Sequence, residues 1–307
     1  MTSTDRSARR VTITDLFDEE RPRAFAIAYQ MLGSVSEAED VVQEAFLRVH
    51  RTVQRGEHIA SPPAYVATLV TRLAIDHLRS ARARREQYVG EWLPEPLATE
   101  SSPADRAETA DHLSLAFLVL LESLTPQQRA AFLLREVFGY PYTEVADIIG
   151  TSVDSTRHLV ARARNHVRER RPRNVATRRE REELAASFFA AAGHGDLAAL
   201  EELLAQDVVL HADGGGKVAA QRRPVNGRAR VARLLSIGWR RLAELGIHIE
   251  VVDVNGEPGG MAIDGAGQPV GVMGLDIVDG RIQAIHSIAN PDKLRHLRPD
   301  RPPRSPA

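Results

Sequence analysis

Residues 124–167, LTPQQRAAFLLREVFGYPYTEVADIIGTSVDSTRHLVARARNHV, contain short helical patterns joined by a tight turn. Ala146 is small where two helices must cross closely, and Gly150 suits the left-handed turn between them. We expect Asp154 or Ser155 to cap the helix that follows, because both side chains can accept a hydrogen bond from a free backbone N–H. The stretch therefore predicts a helix-turn-helix.

The second helix of this motif is basic, and its outer side is polar. We expect it to expose Ser155, Arg157, His158, Arg162 and Arg164. In a helix-turn-helix the second helix enters the major groove, and its N-terminal residues meet base edges. A purely structural three-helix unit is the alternative. The basic second helix and the short interval from Ala146 to Gly150 favour DNA binding.

Length and composition limit the remaining possibilities. The chain has 307 residues, of which 26% are charged and 43% are apolar. At roughly 100–200 residues per domain, this length predicts two or three domains. The absence of cysteine excludes disulfides, zinc ribbons, iron–sulfur clusters and thiol catalysis. No apolar run approaches the roughly 20 residues of a membrane span, and the N-terminus lacks a signal-peptide core. We therefore expect a cytoplasmic protein with no membrane partner.

The net charge of −1 conceals a strong segregation of charge along the chain. Arginines are concentrated in residues 72–85 and 157–181, whereas acids dominate residues 91–154. Two separated basic clusters are typical of a protein that binds a polyanion such as nucleic acid. Solvated helix faces in an arginine-rich chain are the alternative, since Lys217 and Lys293 are the only lysines.

Residues 36–53, SEAEDVVQEAFLRVHRTV, predict an amphipathic helix that begins with a capping box at Ser36 and Glu39. At 100° per residue, one apolar arc contains Ala38, Val41, Val42, Ala45, Phe46, Val49 and Val53. Leu47 lies instead among polar side chains, namely Asp40, Gln43, Glu44 and Arg51. An apolar anchor ringed by polar groups is typical of a protein-binding face, although single exposed leucines are common.

The next helix, which follows Pro62, has a polar face of its own. The side chains on that face are Thr68, Thr71, Arg72, Arg79 and Arg82. Hydroxyl and guanidinium groups on one exposed face can contact phosphates and base edges. Pairing of Asp76 with the arginines one turn away is the alternative.

Together these segments resemble a bacterial sigma factor of the extracytoplasmic-function group. Residues 25–51, FAIAYQMLGSVSEAEDVVQEAFLRVHR, are similar to that family's polymerase-binding segment. Residues 62–86 look like its promoter-melting helix, and residues 124–167 like its minus-35-reading domain. The three motifs occur in the family's order and cover about the first 170 residues. Two positions depart from the family pattern, which more often has an apolar residue at Thr156 and an arginine at Leu159.

The resemblance implies core RNA polymerase, through its β′ clamp helices and β flap, and promoter DNA as partners. The residues it implies for the polymerase are Asp40, Gln43, Glu44, Leu47 and Arg51. Those implied for the minus-10 DNA are Thr68, Arg72, Arg79 and Arg82, with the loop before Pro62. Those implied for the minus-35 DNA are Ser155, Arg157, His158, Arg162 and Arg164.

The last third of the chain predicts an α+β domain. From about residue 182 a helical pattern gives way to β-type runs separated by glycine turns, and we expect a curled antiparallel sheet. This block resembles the cone-shaped SnoaL-like fold, which a subgroup of these sigma factors carries at the C-terminus. Two motifs match that subgroup, Asp213-Gly214-Gly215-Gly216-Lys217 and Asn290-Pro291-Asp292-Lys293-Leu294. The resemblance implies control of the sigma factor in cis by this domain.

The expected fold class is therefore multidomain, with two all-α sigma domains followed by an α+β SnoaL-like domain. The expected boundaries are 12–88 for sigma region 2, 89–109 for a linker, 110–172 for sigma region 4, 180–294 for the SnoaL-like domain and 295–307 for a disordered tail.

Alternatives to this function remain open. The C-terminal domain could sense a small-molecule ligand in a pocket, or it could be an enzyme that uses His211 and Asp213, which share one side of a strand. A ligand-sensing helix-turn-helix repressor is the other alternative for the whole chain. Each glycine or proline motif could be a simple turn. The histidines of this block show no metal-ligand spacing, so we expect no metal site there. We also expect no cofactor, and we favour regulation by this domain over catalysis.

Overall fold

The computed structural model describes residues 13–98, 114–170 and 176–298, apart from the side chains of 13–15, 81–86 and 170. Two compact units divide the chain. The first comprises Met1–Leu32, Ser36–Arg79 and Pro126–Val160, and the second comprises Gly33–Val35, Ser80–Thr125 and Ala161–Ala307. None of the helices in the described ranges is long and apolar enough to cross a bilayer.

The secondary structure follows the expected order of helices and then strands. The helices are α1 (Ile13–Leu32), α2 (Val35–Gln54), α3 (Pro62–Glu86), α4 (Leu115–Leu121), α5 (Pro126–Phe132), a π-helical turn (Leu133–Val137), α6 (Tyr142–Ile149), α7 (Val153–Arg170), α8 (Arg178–His194), α9 (Leu197–Leu203), α10 (Arg228–Glu244) and a 3₁₀-helix (Pro291–Leu297). The strands are β1 (Leu204–Asp213), β2 (Val225–Asn226), β3 (His248–Val254), β4 (Glu257–Ile263), β5 (Pro269–Val278) and β6 (Arg281–Ile288).

Helix α2 buries most of its predicted apolar arc. Two predictions for this helix, its first residue and the burial of Val53, are wrong. The helix begins at Val35, so Ser36 lies in its first turn and the predicted capping box there is wrong. The start is earlier because the Glu95 carboxylate accepts hydrogen bonds from the Val35 N–H, at 2.7 Å, and the Ser34 hydroxyl, at 2.9 Å. Val53, which the periodicity predicts on the buried arc, is 42% exposed, since it lies in the last turn of the helix.

The helix-turn-helix forms as predicted, with one correction at its second cap. Ala146 is buried, and Gly150 has the left-handed φ of 71° that the turn requires. Helix α7 begins at Val153, and the Ser152 hydroxyl accepts a hydrogen bond from the Ser155 N–H at 3.1 Å. The prediction of Asp154 or Ser155 as the cap is therefore wrong by two or three residues.

A six-stranded sheet forms the C-terminal domain, with the strand order β2-β1-β6-β5-β4-β3. Neighbouring strands are antiparallel except β1 and β6, which pair in parallel. The fully antiparallel sheet predicted from the sequence is thus wrong at this pair. A parallel pair needs a long crossover, and α10 with the strands after it provides that connection.

The two faces of the sheet are covered by different parts of the chain. A Cβ added at Gly260 would meet the ring of Phe189, which belongs to the core formed with α8, α9 and α10. A Cβ added at Gly274 would instead meet Leu115 of α4. Because Gly260 pairs with Met273, Gly260 and Gly274 lie on opposite faces. The second face is covered by Leu93 and Leu115, in one cluster with Ile288 and Leu294.

Candidate functional site

Helix α2 exposes the face that the sequence assigned to a protein partner. Leu47 is 43% exposed, while its neighbours Phe46 and Val49 are buried. Three further side chains of this face are exposed, namely Asp40, Gln43 and Arg51. Glu44 is half-buried and accepts a hydrogen bond from Arg48 at 2.8 Å, which lowers the pKa of the Glu44 carboxyl. The face therefore has an apolar centre with charged groups around it.

The polar face of α3, which the sequence assigned to DNA, is partly occupied by hydrogen bonds within the protein. Arg72 donates from Nε to the Ile148 carbonyl at 2.9 Å and from Nη2 to the Asp147 carbonyl at 2.8 Å. These carbonyls lie at the C-terminal end of α6, where helix carbonyls lack intrahelical donors. Arg79 is exposed and pairs with Asp76 at 3.3 Å, as the alternative for this helix predicted. Two of the donors of Arg72 are thus already committed to protein carbonyls.

The hydroxyl groups of α3 are less exposed than the sequence predicted. Thr68 is half-buried and donates to the Ala64 carbonyl at 2.7 Å. Thr71 is fully buried, so its placement on the exposed face is wrong. Its Oγ1 has no hydrogen-bond partner within the described part of the chain. The side chain of Arg82 lies outside the described residues.

Helix α7 exposes all the side chains that the sequence predicted to face DNA. These are Ser155, Arg157, His158, Arg162 and Arg164. Arg157 is held in place by Asp154, at 2.9 Å, and its guanidinium carbon lies 5.8 Å from the ring centre of Tyr142. The departure at Thr156 has a local explanation. Thr156 is buried, and its hydroxyl donates to the Ser152 carbonyl at 3.0 Å, so a polar residue there stabilises the turn and leaves the outer face unchanged.

The two C-terminal motifs meet at a buried ion pair. The Asp213 side chain is 0% exposed and that of Lys293 is 6% exposed, and Nζ of Lys293 lies 2.7 Å from Oδ2 of Asp213. Lys293 also donates to the Leu93 carbonyl, and its ammonium group lies 4.0 Å from the ring centre of Trp92. The Leu93 N–H donates back to Asp213 at 2.9 Å. Residues 92 and 93 are therefore bound by both motifs at once.

Tyr88 joins the same network from the segment that precedes Trp92. Its hydroxyl donates to Oδ1 of Asp213 at 2.6 Å and accepts from Nδ2 of Asn290 at 2.7 Å. Burial, followed by the hydrogen bond to Asp213, raises the pKa of Tyr88. The phenol consequently keeps its proton and acts as a donor to the carboxylate.

Two glycines of the first motif, Gly215 and Gly216, lie so close to other segments that a side chain would not fit. Gly215 and Gly216 have φ angles of 60° and 71°, in the left-handed region. A Cβ at Gly215 would overlap the amide of Asn290, and a Cβ at Gly216 would lie 3.0 Å from the Cβ of Val89. The motif is thus more than a hairpin turn, because its backbone forms part of the surface that holds residues 88–93.

The described part of the predicted linker, residues 89–98, makes specific contacts with the C-terminal domain. Leu97 donates its N–H to Asn255 at 2.9 Å, Ala98 bridges Val254 of β3, and His296 lies 2.7 Å from the Pro96 carbonyl. Residues 88–98, which we name the strap, are therefore attached to the C-terminal domain, with Leu93 in the cluster on the second face and Ala98 paired with the edge strand. Sequence reasoning missed the strap because proline and glutamate content indicated a linker; the aromatic and apolar residues Trp92 and Leu93 were the signal available. Residues 99–109 of the predicted linker lie outside the described residues.

The predicted tail also begins later than expected. The 3₁₀-helix extends to Leu297, so the assignment of disorder from residue 295 is wrong for its first residues. Asn290 caps this helix by accepting from the Asp292 N–H at 3.1 Å. Residues 299–307 lie outside the described residues.

The two polar side chains considered for catalysis, His211 and Asp213, both contact the strap. His211 lies 2.7 Å from the Glu91 carboxylate, and its ring stacks on His286 with the centres 5.1 Å apart. His286 is buried, and neither of its ring nitrogens has a hydrogen-bond partner in the described part of the chain. Within the described ranges, no cluster of three or more potential ligands could hold a metal ion.

The exposed face of α2 and the exposed basic helix α7 together indicate a class of protein. Three helices with an exposed leucine face precede a helix-turn-helix with an exposed basic helix, which is the organisation of a DNA-binding transcription protein. Two family descriptions match the chain, Sigma-70 region 2 over residues 16–84 and Sigma-70, region 4 over residues 114–167.

Similarity to individual proteins extends over nearly the whole chain. The chain is 36% identical over 292 residues to the ECF RNA polymerase sigma factor SigJ of Mycobacterium tuberculosis (strain ATCC 25618 / H37Rv). This match covers 91% of this chain and 92% of that protein. The chain is also 33% identical over 275 residues to the probable ECF RNA polymerase sigma factor SigI of Mycobacterium tuberculosis (strain CDC 1551 / Oshkosh), covering 89% and 91%. The crystal structure of Mycobacterium tuberculosis SigJ matches with a TM-score of 0.72 and 34% identity, covering 91% of this chain and 97% of that one.

The chain belongs to the extracytoplasmic-function (ECF) RNA polymerase sigma factors. It acts in transcription initiation with RNA polymerase and promoter DNA as partners, and its family is not enzymatic. The predicted fold class, helical regions 2 and 4 followed by a SnoaL-like α+β domain, is confirmed.

Proposed function

We propose that Leu47 and the polar residues around it bind the β′ clamp helices of core RNA polymerase. What supports this is an apolar side chain that is 43% exposed at the centre of a charged face. A few residues usually carry most of the binding free energy of an interface, and truncation of such a residue costs about 2 kcal/mol or more. The β flap would bind region 4.

A matched pair of variants on α2 tests the polymerase-binding face. Leu47 and Val53 are 43% and 42% exposed on the same helix, so an aspartate at either position enters a similarly open environment. Leu47→Asp should abolish co-purification with core polymerase, and Val53→Asp should leave it intact. Equal losses with both variants, or no loss with Leu47→Asp, would contradict the assignment.

The same proposal places minus-10 DNA on α3 and minus-35 DNA on α7. Arg79 and the predicted residues of α7 are exposed, whereas Arg72 is engaged with the carbonyls of Asp147 and Ile148. Region 2 and region 4 also meet where Arg129 donates to the Gln30 carbonyl at 2.9 Å. The described conformation is accordingly a closed one, and DNA binding by Arg72 requires these contacts to open.

The SnoaL-like domain would control the sigma factor in cis by determining how readily regions 2 and 4 separate. The observation that carries this proposal is the buried Asp213–Lys293 pair, which binds the strap at Trp92 and Leu93. The strap belongs to the stretch that leads from region 2 to region 4. Its attachment to the sheet therefore shortens the chain available for separation, and its release shifts the equilibrium toward the open form.

The only two lysines of the chain offer a controlled test of this step. Lys293→Met keeps the length of the side chain but leaves Asp213 without its cation, which typically costs about 3–5 kcal/mol in a buried pair. Lys217 also pairs with an aspartate, Asp292, but its side chain is 53% exposed. Lys217→Met should therefore have little effect.

Run-off transcription with core polymerase measures the outcome. At equal sigma-factor concentration, Lys293→Met should raise promoter output, whereas Lys217→Met should match the unmodified protein. Circular dichroism of both variants checks that the chain remains folded. Unchanged output from a folded Lys293→Met protein would count against regulation by the strap.

A further inference from the structure

The C-terminal domain contains a long stretch without acids. Between Asp213 and Glu244 there are 8 basic residues and no aspartate or glutamate. This bias exceeds that of the chain as a whole, where acids and bases are nearly balanced at 41 and 40. A stretch of one sign on a folded domain creates a local field that attracts the opposite charge.

Folding places most of these arginines on one surface. Four of them, Arg230, Arg233, Arg240 and Arg241, are exposed on α10. At 100° per residue these four share an arc of about 100°, opposite the buried Val231, Leu235 and Trp239. The loop before α10 adds Arg222 and Arg223, which are also exposed. We call these six arginines the basic face.

One exposed carboxylate, Glu244, lies on the same arc at the C-terminal end of α10, but it forms no ion pair with the basic face within the described part of the chain. None of its six arginines forms an ion pair there, whereas Arg178 and Arg179 of α8 pair with Asp253 at 2.9 Å and Glu183 at 2.8 Å. A groove of about 470 Å³ lies between the loop and α10, and no acidic residue of the described ranges lines it. Six exposed arginines with one carboxylate on the same arc are typical of a surface that binds a polyanion.

We propose that the basic face binds the phosphodiester backbone of duplex DNA. The binding would be independent of base sequence and additional to the promoter elements that regions 2 and 4 read. From Arg230 to Arg241 the helix rises about 16 Å, which matches about five base pairs of duplex at 3.4 Å each. Guanidinium groups suit phosphate because they donate in a planar fork. The basic face belongs to the SnoaL-like domain, so its assignment does not depend on which residues read the promoter.

One feature of the surface could indicate a protein partner instead. Ile237 is 56% exposed at the centre of the basic face. A phosphate backbone gives such a side chain little to contact, whereas an acidic protein segment could bury it. The response to a change at Ile237 therefore separates the two classes of partner.

The experiment measures the affinity of the complete chain, bound to core polymerase, for a fluorescent duplex that lacks promoter elements. Binding is followed by anisotropy over a series of salt concentrations. Arg230→Gln with Arg233→Gln and Arg240→Gln should weaken binding, and the slope of log K against log salt should fall by up to about 0.9 for each phosphate that these arginines neutralise. Replacing the same three arginines by lysine should largely retain the slope. Arg179→Gln is the control, because Arg179 is exposed on α8, and it should change nothing.

Each result has a defined consequence. A slope that is unchanged in the triple glutamine variant overturns the proposal, and so does an Ile237→Ser variant that weakens binding as much as the triple variant does. Retention of binding by Ile237→Ser supports binding to DNA. Since the duplex carries no promoter, failure of the assigned promoter-reading residues would appear only with promoter DNA and is recognised separately.

Discussion

At the scale of single residues, Gly215 combines a backbone requirement with a packing requirement. Its φ of 60° disfavours any residue with a Cβ, and that Cβ would overlap the Asn290 amide that bonds to Tyr88. Gly267 has a similar φ of 74° but open space around its Cβ position. Comparison of the two glycines therefore separates backbone strain from side-chain overlap.

Gly215→Ala should destabilise the C-terminal domain more than Gly267→Ala. The backbone cost is about 1–2 kcal/mol at both sites, and only Gly215→Ala also displaces Asn290. Urea unfolding of the two variants measures the difference, and hydrogen exchange of the strap should rise only in Gly215→Ala. Equal destabilisation would mean that the glycine is needed for its φ alone.

His286 makes stability depend on pH in a predictable direction. Burial, and secondarily the charge of His211, lowers the pKa of His286 from 6.5 to about 3. Between these values the unfolded chain binds a proton that the folded chain does not. The stability contributed by neutral His286 is therefore complete above pH 6.5 and is lost as the pH falls toward 3, by up to about 1.4 kcal/mol per pH unit.

His286→Phe should remove this dependence while keeping an aromatic ring beside His211. Urea unfolding at about pH 7 and pH 5, on either side of the ordinary histidine pKa, should show a smaller loss of stability on acidification than in the unmodified protein. His248→Phe is the control, because His248 is exposed on the edge strand β3. If the His286→Phe and His248→Phe proteins lost stability equally on acidification, the buried imidazole would not be the source.

Individual residues differ in how far the sequence could predict them. Leu47 was identifiable because helical periodicity alone places it among polar neighbours. The Asp213–Lys293 pair was not, because its partners are 80 residues apart and only the pairing of β1 with β6 brings them together. Both motifs are visible in the sequence, but their pairing depends on a parallel strand pair that the local pattern does not specify.

At the scale of elements, the start of α7 is stabilised by a cap that sequence reasoning misplaced. The Ser152 hydroxyl accepts from the Ser155 N–H, and the Ser152 carbonyl accepts from Thr156. An N-cap serine replaced by alanine typically costs roughly 0.5–2 kcal/mol, about 1 in most hosts. Ser187 lies inside α8, where its hydroxyl returns to the Glu183 carbonyl one turn back.

Ser152→Ala should therefore lower stability by about 1 kcal/mol, while Ser187→Ala should be neutral or slightly stabilising, since alanine favours helix interiors. Thermal unfolding of both variants provides the measurement. A neutral Ser152→Ala would contradict the assignment of the cap, because the exposed hydroxyl would then exchange its bond for water without cost.

The strap shows why elements without regular structure are hard to predict. Its prolines prevent a helix, and its glutamates indicate exposure, yet Leu93 and Glu95 are buried. Glu95 is buried because Ser34 and Val35 donate to it at the start of α2. Glu95 is buried by partners that are distant in the sequence, and the local sequence pattern cannot predict such partners.

At the scale of the whole molecule, the proposed regulation in cis depends on whether the 3₁₀-helix Pro291–Leu297 remains attached to the strap. The 3₁₀-helix supplies Lys293 to Asp213, Leu294 to the apolar cluster and His296 to the Pro96 carbonyl. Among the described residues, Arg298, which follows Leu297, takes no part in this attachment. The position of a truncation should therefore matter more than its length.

Truncation after Asp292 should raise promoter output in run-off transcription, because it removes Lys293, Leu294 and His296 together and leaves Asp213 buried without its cation. Truncation after Leu297 should leave output unchanged, since the whole 3₁₀-helix remains. Co-purification with core polymerase should persist in both proteins, because Leu47 lies in a different compact unit. If both truncations change output alike, the terminal residues act by another route; if neither does, the strap does not limit opening.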